Sequence, residues 1–155
     1  MKLKVNGKEA YFTTSGREID KDQPTIVFVH GSGLTHVTWV LQTRYFAFHG
    51  YNSLAVDLPG HGLSSGKSLK SIEEMADWVS DVIDAVGHKE ASLVGHSQGC
   101  LVTVECTSRY PDKIKTNKID FKKEGPSEKE IKEILSVFNF NQEQKITAIE
   151  LIRSL

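Results

Sequence analysis

The stretch Ser92-Leu93-Val94-Gly95-His96-Ser97-Gln98-Gly99-Cys100-Leu101-Val102 places one serine between a short apolar run and a run with helical spacing. A strand that feeds into a helix through so few residues must turn sharply, and the residue at the apex takes a strained backbone. Its neighbours two positions away must be small to avoid collision, and Gly95 and Gly99 meet that demand. Ser97 is then expected above the end of the strand, at the positive end of a helix, where an anion is stabilised. A serine hydroxyl is a poor nucleophile until a base takes its proton. The reading of this stretch therefore turns on where such a base lies.

Two earlier runs repeat the design. Thr25-Ile26-Val27-Phe28-Val29-His30-Gly31-Ser32-Gly33 is a continuous apolar run ending in glycines. It fits a strand buried on both faces, hence a parallel sheet covered by helices. In the second, Leu54-Ala55-Val56 runs into the Pro/Gly-rich turn Asp57-Leu58-Pro59-Gly60-His61-Gly62-Leu63-Ser64. Ahead of both, Lys2 to Thr14 reads as a hairpin about Asn6-Gly7, a type I′ turn signal. Helices are expected between the strands, at Trp39–Phe48 and Ser71–Val86. The second carries a capping box, Ser71 with Glu74, a stripe of Ile72, Met75, Ala76, Val79, Val82, Ile83 and Val86, and a terminal Gly87. The order strand, helix, strand, helix, strand, helix predicts an open, doubly wound α/β sheet with its site at the carboxyl ends of the strands.

Composition agrees with an ordinary globular chain: 155 residues, 39% hydrophobic, 25% charged, net charge −1. That balance gives no global reason to expect nucleic acid or an anionic membrane as partner. The N-terminus has no apolar run of signal-peptide length, and the longest apolar runs are strand-sized. Cys100 and Cys106 do not face each other on one helix, and free thiols suit a cytoplasmic setting. Past about Asp112 charged residues become roughly twice as dense. The expected division is a partial α/β core at 1–114 and a helical tail at 115–155. In the tail, Ser127–Phe138 and Asn141–Leu155 read as an αα-hairpin.

Three signatures in this order, His30-Gly31-Ser32-Gly33, Asp57 to Ser64 and Gly95 to Gly99, resemble the α/β-hydrolase superfamily, its esterase, lipase-like and C–C hydrolase branch above all. The likeness runs from about Lys2 to Ile114, so it implies a truncated α/β-hydrolase core with helices on both faces. It implies that Ser97 is the nucleophile of an acyl-enzyme mechanism on an ester- or amide-like small molecule. It implies an oxyanion hole from the amides of Ser32 or Gly33 with that of Gln98, and chemistry without metal or organic cofactor.

The departure from the family is the base. There the acid and histidine follow the serine in chain order. Here the six histidines, at 30, 36, 49, 61, 88 and 96, all precede Ser97. His36 is the least unfavourable substitute, since its loop should cover the site. His96 should point away from Ser97, His30 should be a buried hydrogen-bonded residue, and Asp57 a turn cap. Three readings follow: a serine hydrolase impaired as an isolated chain, a non-catalytic remnant that binds a ligand or partner, or one half of a split enzyme completed by another polypeptide. With no later strand, Leu93 and Val94 are expected on an open sheet edge with unpaired backbone groups, to be paired by tail residues between Lys113 and Lys123 or covered by the tail helices, with self-association or a complementing chain as the competing outcome.

Overall fold

The computed structural model describes residues 1–115, and the tail helices expected at 127–138 and 141–155 lie outside them. The described residues form a mixed five-stranded sheet with helices on both faces. The elements are β1 (Lys2–Val5), β2 (Lys8–Thr13), β3 (Thr25–Val29), a 3₁₀ turn at His36–Trp39, α1 (Val40–Phe48), β4 (Asn52–Val56), α2 (Ile72–Ala85), β5 (Ser92–Gly95) and α3 (Gln98–Arg109).

The spatial order is β1-β2-β4-β3-β5. The β1–β2 hairpin closes at Asn6 and Gly7, both at positive φ (49° and 76°), as a type I′ turn requires. β2 joins β4 antiparallel through Phe12 and Thr13. β3 lies between β4 and β5, parallel to both.

Strand side chains alternate between two cores. Val27, Val29, Leu54 and Val56 pack with Met75, Val79, Val82 and Ile83 of α2 and with Val102 and Cys106 of α3. Phe28 serves the opposite face, its ring 5.2 Å from Trp39 and 5.8 Å from Phe46. Both faces of β3 and β4 are buried along their whole length. This is why those strands read as unbroken apolar runs rather than alternating ones.

α2 begins where the capping box places it. Ser71 Oγ accepts from the Glu74 amide at 3.2 Å, while the Glu74 carboxylate reaches back to the Lys70 amide at 2.9 Å, one residue earlier than the usual reciprocal bond. Tyr110 donates to Asp77 at 2.6 Å and ties the end of α3 to α2.

The open side of β5 differs in detail from expectation. Ala91 forms a parallel bridge to Ile114, donating to the Lys113 carbonyl at 2.9 Å and accepting from the Lys115 amide at 3.1 Å. Backbone groups alternate along a strand, so Leu93 shares the outward direction of Ala91 while Ser92 and Val94 turn to β3. The His96 amide, donating to Val29 O at 3.1 Å, continues that alternation. Among the described residues, the expected loss of partners at both Leu93 and Val94 is therefore corrected to Leu93, while the Ile114 bridge pairs the edge at Ala91.

Replacing Ser71 by alanine removes the cap and should lower the unfolding free energy by about 1 kcal/mol. Urea denaturation followed by circular dichroism checks it, and an unchanged midpoint would show that α2 does not depend on its cap.

Candidate active site

Ser97 stands between β5 and α3 with φ 53° and ψ −119°, a combination that a side-chain-bearing residue adopts only under constraint. The constraint is the closeness of three backbones. A Cβ on Gly99 would fall inside the Val29 carbonyl oxygen, and one on Gly95 would fall inside the Gly99 carbonyl group. Only glycine lets the first turn of α3 sit against β3, and that seat forces the reversal at Ser97. The serine is exposed at the carboxyl rim of the parallel strands.

The glycine turn after β3 lies against it. A Cβ on Gly31 would be 3.0 Å from Ser97 Cβ and 3.1 Å from His96 Nδ1. Within the turn, the Leu34 amide closes onto Gly31 O at 3.1 Å. The amides of Ser32 and Gly33 take no backbone carbonyl among the described residues. The amides of Gly99 and Cys100 are occupied by the carbonyls of His96 and Ser97 at 2.8 and 2.9 Å, which leaves the Gln98 amide as the free donor at the start of α3 among the described residues. The free amides of Ser32, Gly33 and Gln98 thus lie on the two turns that meet beside Ser97.

The histidines are placed elsewhere. His36 Nδ1 lies 2.9 Å from Asp57 Oδ2, and the His36 amide donates to Asp57 Oδ1 at 2.7 Å. Asp57 is fully buried and also accepts from the Leu63 amide at 2.9 Å. A histidine oriented by a buried carboxyl group is the base half of a triad in form. Its location rules out the use. The His36 ring packs on Tyr11 of β2, with centroids 4.9 Å apart, whereas Ser97 follows β5 on the far side of β4 and β3. At about 4.8 Å per strand, the ends of β4 and β5 alone are roughly 10 Å apart. His36 and Asp57 are accordingly a structural tie between the 3₁₀ turn and the 57–64 turn.

His96 stands edge-on to Trp39 at 6.4 Å, and its Nδ1 is buried without a hydrogen-bond partner among the described residues. His49 is stacked on Tyr45, and His88 contacts Asn52. His61 Nδ1 faces Pro59 O at 3.2 Å. His30 is buried, with both ring nitrogens engaged by Gly31 and Leu58. None of the six is hydrogen-bonded to Ser97. Desolvation raises the Cys100 thiol above its ordinary value and pushes that of the buried Cys106 up to about 11, away from the reactive thiolate form.

The pairing of His36 with Asp57 was not legible in sequence, since 21 residues separate them. One local signal existed for the carboxyl group. Gly62, at φ 50°, leaves no room for a Cβ against Asp57, so the glycine marks where the turn folds over that side chain.

Residues 24–116 match the family model described as the alpha/beta hydrolase fold. The chain belongs to the α/β-hydrolase family. It is 30% identical over 111 residues to (E)-2-((N-methylformamido)methylene)succinate hydrolase of Acinetobacter baylyi, covering 71% of this chain and 40% of that protein. It is 28% identical over 115 residues to Epoxide hydrolase 1 of Caenorhabditis elegans, covering 72% and 28%. Among solved structures, naproxen esterase (carboxylesterase NP) from Bacillus subtilis superposes with a TM-score of 0.64 at 25% identity, covering 75% of this chain and 40% of that one. The chain spans less than half the length of these relatives. Among the described residues, no helix is long and apolar enough to cross a membrane.

Replacing Ser97 by glycine should raise the unfolding free energy by about 1 kcal/mol, because glycine relieves most of the strain and forfeits part of the gain to chain entropy. Ser97→Ala retains the strain and serves as the reference. Denaturant unfolding of the pair decides it: a glycine variant no more stable than the alanine one would mean the turn stores no strain.

Proposed function

We propose that this chain carries the nucleophile half of a serine hydrolase acting on an ester- or amide-like small molecule. The single observation behind this reading is the constrained backbone of Ser97 beside the glycine turn 31–33. In the proposed step, Ser97 Oγ attacks an acyl carbon and its proton passes to a base. The carbonyl oxygen becomes an oxyanion held by the amides of Gln98 and of Ser32 or Gly33, the leaving alcohol or amine takes a proton, and water then releases the acid.

Chemistry favours acyl over epoxide substrates. Attack of a serine oxygen on an acyl carbon gives an ester that water can cleave. Attack on an epoxide carbon gives an ether, which water cleaves poorly, so turnover would stop after one event. The relation to an epoxide hydrolase therefore bears on fold rather than on the bond broken.

Because none of the six histidines is bonded to Ser97, the 155-residue chain alone should act as a truncated, nearly inactive hydrolase, set in the cytoplasm as the free thiols suit. The oxyanion donors and binding alone leave about 10³–10⁴-fold over the uncatalysed rate. Hydrolysis of a p-nitrophenyl ester by the purified chain tests this. Turnover near the ordinary enzymic value of about 10 s⁻¹, abolished in Ser97→Ala, would overturn the expectation of near-inactivity.

A second reading, of a chain completed in trans or self-associating, draws on the outward backbone of Leu93 and on two apolar side chains of α3, Leu101 and Val104, which are 60% and 69% exposed. The expected outcome is a concentration-dependent mass in light scattering that falls to the monomer value in the Leu101→Asp/Val104→Asp variant. A monomer at every concentration would count against self-association.

A further inference from the structure

We infer that His30 is a positioning residue that holds the glycine turn 31–34 to the turn 58–63 only while its ring is neutral, so that a single proton uncouples the two. The hydrogen bonds fix the tautomer. The Leu58 amide donates to His30 Nε2 at 3.1 Å, so Nε2 is a bare acceptor. The ring proton is therefore on Nδ1, which donates to Gly31 O at 2.8 Å. One ring thus accepts from the turn after β4 and donates to the turn after β3.

A second proton has one place to go, Nε2, and there it would face the Leu58 N–H donor to donor. His30 is completely buried, so no solvent relieves the conflict. Leu58 is itself 1% exposed and packs in the core, so it cannot simply turn aside. The conflict is resolved when the 58–63 segment opens and the ring hydrates.

The charged and titratable groups around the ring come from each neighbouring element. His61, on the turn that carries Leu58, is tilted against the ring at 5.1 Å between centroids. Asp57, at the end of β4, favours the charged ring, and His36 of the 3₁₀ turn opposes it. Burial outweighs Asp57 and the Gly31 carbonyl and holds the imidazole below its ordinary range. A group depressed on folding contributes stability that is complete above its ordinary value and is lost as pH falls toward the lowered one. The closed arrangement therefore weakens as pH drops below about 6.5, by up to about tenfold per unit across that window.

The consequence reaches the site because Gly31, whose carbonyl the ring holds, is the residue lying against Ser97. That consequence rests on the proposed role of the 31–33 amides. The latch itself does not, and it is read without any substrate.

Hydrogen exchange of backbone amides, with nitrogen chemical shifts of the histidine rings, tests it on the full chain from pH about 7.5 to about 5. The expected result is that Leu58 protection falls in step with protonation of His30 Nε2 while Val27 and Leu54 stay protected. In His30→Gln, whose side-chain oxygen can accept the Leu58 amide and cannot titrate, Leu58 protection should not change over that range. The inference is overturned if His30 protonates with Leu58 still protected, or if Leu58 opens only together with Val27 and Leu54. It is also overturned if His30 stays neutral until the chain unfolds, or if the glutamine variant keeps the wild-type pH dependence. Should His30→Gln fail to fold, the wild-type nitrogen shifts and Leu58 exchange decide the matter alone.

Discussion

The seat of α3 against β3 is the constraint on which the rest depends. With Gly99 pressed to the Val29 carbonyl, the helix starts directly over the parallel strands, and the chain leaving β5 has two residues, His96 and Ser97, in which to reverse. The positive φ of Ser97 is the geometric remainder of that closeness. Two consequences follow. The Gln98 amide is left without a carbonyl partner at the turn among the described residues, and the serine is lifted clear of the sheet. A larger residue at position 95 or 99 would separate helix from strand and remove both. Strain at one residue is thus maintained by packing at others, as expected where the surroundings over-determine a conformation.

The elements most legible in the sequence were those whose physics is local. Asn6-Gly7 announces a type I′ turn because few residue pairs tolerate positive φ twice in succession. Ser71 and Glu74 announce a helix start because the bonds they make lie within four residues of each other. The elbow announces itself through two glycines at fixed distance from a serine. Phe28 and Val29 betray a doubly covered strand by the absence of polar alternation.

What was not legible is what joins distant segments. The sequence pointed to His36 as the least unfavourable base, because a loop after β3 must lie near the rim. It could not show on which side of β4 the loop falls, and the contact with Tyr11 settles that. It marked Asp57 as a turn cap without its partner, and His30 as buried without the amide it holds. The helix expected at Trp39–Phe48 begins at Val40, and the sequence did not announce the 3₁₀ turn His36–Trp39 ahead of it, whose Thr35 cap is long at 3.4 Å. Residue alternation on β5 was legible in principle. Once Ala91 is known to face outward, the directions of Leu93 and Val94 follow from a period of two, but the sequence does not reveal which parity faces out.

The positions of the histidines also bear on how a base can reach Ser97. On the β3 side the serine is walled by the glycine turn, with Gly31 in contact and His30 locked behind it. Beyond that wall lie His61 and then the His36–Asp57 tie, each engaged by its own turn. On the proposed mechanism, a base arriving from that side would have to displace the Ser32 and Gly33 amides that hold the developing charge. On the other side lies β5, whose outer edge is met at Ala91 by Ile114 and is otherwise unpaired at Leu93 among the described residues. If Ser97 acts as proposed, the approach compatible with an intact 31–33 turn is from beyond β5, which would put proton acceptor and oxyanion donors on opposite flanks of the same serine. That division lets one group take the proton while the others hold the charge, without either crossing the path of the other.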